Sequence, residues 1–120
     1  MDLSFLAQKL LESFSSKPFY QVLEIIEYTL KHNPQESNYL LQIFYSIAAS
    51  MQNNTNTDFF GIWIYDITFK EISRFNQLSS QKITETYLRI ACFSVVKPKK
   101  KKRTPLVKYY IKISLYKKII

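Results

Sequence analysis

The sequence predicts an all-α fold of about five antiparallel helices, a small bundle or a short helical array, followed by a basic C-terminal tail that is poorly ordered or strand-like. Three observations carry that expectation. Apolar residues recur at helical spacing through the first half of the chain. The polar breaks between these stretches are short, as they are between antiparallel neighbours. The charge is also divided: residues 97–120 hold ten Lys and Arg and no acid, whereas residues 1–96 hold seven bases against nine acids, a balance of −2. On this reading residues 1–96 are a helical domain and 97–120 a basic tail.

The first expected helix places Leu3, Leu6, Leu10 and Phe14 along one face, with Asp2 positioned to cap it. Pro18 suits the first turn of a second helix, where its missing N–H costs nothing, and Phe19, Val22, Leu23, Ile26 and Leu30 form its stripe. The third has the clearest start. Asn33-Pro34-Gln35-Glu36 offers an Asn N-cap, Pro at the first helical position, and a Glu able to reach back to the cap N–H as in a capping box. Tyr39, Leu40, Ile43, Phe44, Ile47, Ala48 and Met51 follow at helical spacing.

Residues 58–78 carry two patterns. Phe60, Trp63, Ile64, Ile67, Glu71, Phe75 and Leu78 fall near one helical face, while Phe59, Trp63, Tyr65, Ile67 and Phe69 stand at strand spacing. β-branched and aromatic content speaks for a strand. Segment length, a cap at Thr57 or Asp58 and helical neighbours favour a helix. Ser79 or Ser80 then opens a fifth helix with Ile83, Tyr87, Ile90, Ala91 and Ser94 inward, ended by Lys97-Pro98 because the residue before a proline is pushed out of the α region. Helix pairs at such spacing suit an armadillo- or HEAT-like array, although no residue pattern repeats between them. In the tail, Val107, Tyr109, Ile111, Ile113 and Leu115 alternate with Lys108, Tyr110, Lys112, Ser114 and Tyr116. Strict period two is the pattern of a half-buried strand, or of an edge awaiting a partner.

The residue inventory points away from catalysis. His32 and Cys92 are the only residues of their types, so neither an internal disulfide nor a zinc site of four Cys/His ligands can form, and Gly61, the single glycine, cannot make a phosphate-cradling loop. No catalytic, cofactor or metal residues are expected. No stretch approaches the ~18–20 uncharged apolar residues that span a bilayer, so a membrane role is not favoured. "PKKKKRTP" at 98–105 resembles a monopartite nuclear localisation signal. That resemblance implies a nuclear location, with a cytoplasmic one as the alternative, and an import receptor as partner. Lys97, Lys99, Lys100, Lys101, Lys102 and Arg103 are the candidate nuclear-targeting or polyanion-binding residues.

The resulting expectation is a non-catalytic helical protein-interaction module, an adaptor or scaffold for an unidentified protein, carrying a nuclear-targeting tail. One alternative is a nucleic-acid-binding protein that uses the Lys-rich arm. Another is a truncated isoform, or a fragment of a larger helical-repeat protein, without independent activity.

Overall fold

Three helices cover one face of a mixed sheet, and every described strand but a two-residue one at the N-terminus lies in the second half of the chain. A computed structural model describes residues 1–96 and 102–116. Strand β1 (Asp2–Leu3) precedes helices α1 (Phe5–Glu12), α2 (Phe19–Thr29) and α3 (Pro34–Thr55). A 3-10 turn at Phe59–Gly61 leads into β2 (Ile62–Asn76), β3 (Gln81–Val96), β4 (Lys102–Arg103) and β5 (Val107–Leu115). Strand order is β1-β5-β3-β2, with β4 paired to the end of β3. The chain is therefore α/β, not an all-α bundle or array of five helices.

The first three helices form where the apolar stripes place them, and the cap of the first differs from the expected one. Asp2 is extended and pairs with Ser114, so it cannot cap α1. The cap passes to Ser4, whose Oγ accepts from Ala7 N–H at 3.1 Å. At α3, Asn33 caps as its position predicts, accepting from Glu36 N–H at 3.4 Å. Glu36 does not complete a capping box, because Asn33 N–H already donates to Leu30 C=O at 2.9 Å. Its carboxylate instead accepts from Ser4 N–H at 2.9 Å and from Ser4 Oγ–H at 2.7 Å. One buried carboxylate thus joins the starts of two helices.

The two expected helices after Thr57 are the strands β2 and β3, paired antiparallel from Ile62↔Ser94 to Asn76↔Gln81. A β-bulge explains why β2 imitates a helix. Ile62 and Ile64 face the helices, Tyr65 is the extra residue, and the inward series resumes at Ile67 and Phe69. The step from Ile64 to Ile67 across the bulge is helical spacing produced by a strand. In β3 the alternation is blurred because the strand is buried on both sides near its end, where Ala91 and Cys92 are both fully buried. Composition was the better guide in both segments.

β5 runs along β3 from Thr86↔Ile113 to Cys92↔Val107. Its alternating apolar series turns inward: Ile113 is buried, and Val107, Tyr109 and Ile111 pack against the core formed with all three helices. Phe44 lies among the helices, its ring edge-on to Phe14 and Phe19 at 6.0 and 5.6 Å. Burial of each such side chain contributes about 1.5–3 kcal/mol. At the far end, β2 and β3 run past the helices as a two-stranded arm, closed by Asn76 Oδ1 accepting from Leu78 N–H and by Ser80 at φ 54°. Phe75, Leu78 and Ile83 are exposed along it.

Gly61 is required by crowding rather than by its backbone angle. A Cβ there would stand 2.8 Å from both Thr57 Cγ2 and Val95 O. Gly61→Ala should therefore destabilise the protein by about 1–3 kcal/mol, read by chemical denaturation. Thr57→Ser should restore only part of the loss, because the carbonyl contact remains. Glu36→Ala should cost about 1–3 kcal/mol by leaving the Ser4 donors unpaired. Once Glu36 is gone, a further Ser4→Ala change should cost less than it does in the wild-type chain, since the two share one network.

Candidate functional site

Strand pairing sorts the sheet's side chains into two sets. Residues directly opposite share a face, so the inward pairs Ile64/Cys92, Ile67/Ile90 and Phe69/Leu88 fix the remainder as outward. The outer set comprises Trp63, Asp66, Thr68, Lys70, Ile72 and Arg74 from β2, and Ile83, Glu85, Tyr87, Arg89, Ala91 and Phe93 from β3. β5 adds Lys108, Tyr110 and Lys112. None of these belongs to the core cluster that unites the helices with the inner face. The outer face is thus a surface of cations and rings.

Two ion pairs organise it. Arg89 donates to Asp66 at 3.0 Å across β3 and β2, and Lys112 lies 3.6 Å from Glu85 across β5 and β3. Tyr87 Oη–H donates to Glu85 at 2.7 Å. That hydrogen bond, followed by the nearby Lys112 and Arg74 charges, outweighs desolvation and holds the Glu85 carboxyl below its ordinary pKa. The same bond raises the Tyr87 phenol. Lys70, Arg74 and Lys108 make no ion pair among the described residues, so the face keeps excess positive charge.

The layers differ in charge overall. Residues 1–61, which supply the helices, hold three bases and six acids, a balance of −3. Residues 62–96 and 102–116, the described residues that supply the sheet, hold eight bases and three acids, +5. Basicity continues from the C-terminal segment into β2 and β3, because β5 is hydrogen-bonded into the same sheet.

Of the candidate residues in the Lys-rich run, Lys97, Lys99, Lys100 and Lys101 lie outside the described residues. Lys102 and Arg103 form β4, paired with Val96 and Val95. Thr104 N–H donates to Ser94 C=O at 2.9 Å, and Ser94 N–H donates to Thr104 Oγ at 2.7 Å. The described end of the run is therefore paired with the end of β3. The outer-face residues were missed because β2 and β3 were expected to be helices. The alternation of Lys and apolar residues in β5 was the one sequence signal that pointed to them.

His32 is exposed in the turn after α2, whereas Cys92 is buried on β3, its thiol pushed up to about 12 by desolvation. Among the described residues, no group of three or more His, Cys, Asp or Glu is placed to hold a metal ion. No helix among them is long and apolar enough to cross a membrane. Cys92 should resist thiol-specific reagents at pH 8 until the chain is unfolded, when it should react rapidly. An unfolded thiol ionises near pH 9 while the folded one holds its proton to about 12. The Cys92 share of stability is therefore lost between those values, at up to about 1.4 kcal/mol per pH unit. Cys92→Ala should flatten the alkaline fall in stability, as measured by denaturant titration.

Comparison with known proteins adds a partial relationship. The chain is 38% identical over 74 residues to a protein of Trieres chinensis named "Uncharacterized protein ycf88", a match covering 62% of this chain and 48% of that protein. It thus spans about half the length of the curated relative it matches. No family model matches the chain, and no solved structure matches it.

Proposed function

We propose that the protein is a non-catalytic nucleic-acid-binding module that lays a single strand across the outer face of its sheet, with β4, the described end of the Lys-rich run, at one end of that path. The supporting observation is the uneven charge of the two layers, combined with aromatic side chains on the basic one. Phosphates are attracted by Lys70, Arg74, Lys108 and the run, while Tyr110, half exposed at the middle of β5, offers a ring for a base to stack on. Three pleated strands side by side present such groups at spacings that suit an extended strand better than a duplex. The acidic helix layer repels the same ligand and so orients it.

The measurement is fluorescence anisotropy of a labelled single-stranded oligonucleotide against the full-length protein across a salt series. About five phosphate contacts give a slope of log K against log salt of about −3.5 for a single strand. Lys70→Ala/Arg74→Ala should reduce that slope by about 1.4, two contacts' worth. Tyr110→Ala should weaken binding by about 1–3 kcal/mol with the slope unchanged, since stacking releases no counterions. Affinity and slope untouched by all three substitutions would remove the face from the interface.

A further inference from the structure

β5 has a free side. β3 pairs with it along Val107–Ile113, and on the opposite side β1 reaches only Ser114 and Leu115. Among the described residues no strand takes the remaining outward-pointing N–H and C=O groups of Val107–Ile113. Helix α3 runs beside this edge, and between them lies a mainly apolar groove of about 380 Å³ lined by Tyr39, Ile43, Ile47, Tyr109, Tyr110 and Ile111 together with the polar Gln42 and Ser46. Tyr109 and Ile111 face the helices whereas Tyr110 faces outward, so a groove that touches all three includes the strand edge itself. Tyr109 is held in place by its hydroxyl, which donates to Ser50 Oγ on α3 at 3.0 Å.

From this edge and groove we infer a peptide-docking site: an extended segment of another protein, alternating apolar and acidic residues, adds to the sheet beside β5. Its backbone completes the open ladder, and every second side chain enters the apolar groove. The intervening side chains emerge on the outer face beside Lys108 and Lys112, the cations nearest that edge. This charge decides the occupant. Lys108 makes no ion pair among the described residues, and Lys112 is largely exposed despite its contact with Glu85. A second copy of β5 would bring its own Lys108 and Lys112 to the same face, where like charges across a strand pair are unfavourable. Carboxylates at those positions are attracted instead. The inference does not rest on nucleic-acid binding, but the two sites share Lys108 and Tyr110, so peptide and oligonucleotide should compete.

The test uses the full-length protein and three labelled peptides about as long as the open edge: one alternating Asp or Glu with Ile or Val, one with Lys in place of the acids, and one of the first composition with acids and apolar residues in separate blocks. The alternating acidic peptide should bind saturably and slow hydrogen exchange at Val107–Ile113, and the other two should not. Lys108→Glu/Lys112→Glu should weaken that peptide about tenfold and allow the Lys peptide to bind. Hydrogen exchange of the free variant verifies that β5 remains paired with β3. Equal binding of all three peptides, protection elsewhere, no binding, or self-association through β5 without peptide would each overturn the assignment.

Discussion

The pairing of β5 with β3 is the contact on which the other features depend. It turns an alternating, basic segment into a sheet strand whose apolar side closes the core and whose Lys side extends the outer face. Without it β3 would be an edge, the helices would lack the cover of Tyr109, Ile111 and Ile113, and the two-stranded β2–β3 arm would stand on a much smaller base. A pair of strands has little stability alone, and a third strand with a packed apolar face supplies it. The turns and caps serve this arrangement: Gly61 lets β2 start against Val95, and Ser94 and Thr104 close the same end of the sheet.

The first three helices were legible because nothing there interrupts the 3.6-residue period and because Asn33-Pro34 marks a start in local chemistry. The caps were less so. Glu36 looks local in sequence, yet its partner is Ser4, 32 positions away. β2 was misread for a physical reason that affects any periodic reading: one extra residue at Tyr65 shifts the inward series and imitates an amphipathic helix. In β3, burial on both sides near Ala91 and Cys92 erased the alternation, leaving β-branched composition as the remaining clue. β5 carried the cleanest strand pattern in the chain, but a strand needs a partner. Once β2 and β3 were assigned as helices, none was available.

The same misassignment hid the candidate surfaces. Counting charge on either side of Val96 separates a basic tail from a slightly acidic body, but the relevant division in space lies near Ile62, between helices and sheet. Dividing there shows a protein with one acidic layer and one basic layer, and it places Lys70, Arg74 and Lys108 on a common surface. The open edge of β5 and the open face beside it then offer two different chemistries. The edge presents backbone unpaired among the described residues and a mainly apolar groove; the face presents cations and rings.

Removal of residues 97–120 tests the central claim most directly. If β5 completes the core, the fragment 1–96 should lose the sharp, cooperative thermal transition of the full-length chain, and its β2 and β3 amides should exchange rapidly with solvent. Cooperative melting of that fragment at the full-length temperature, with β3 amides still protected, would contradict the account.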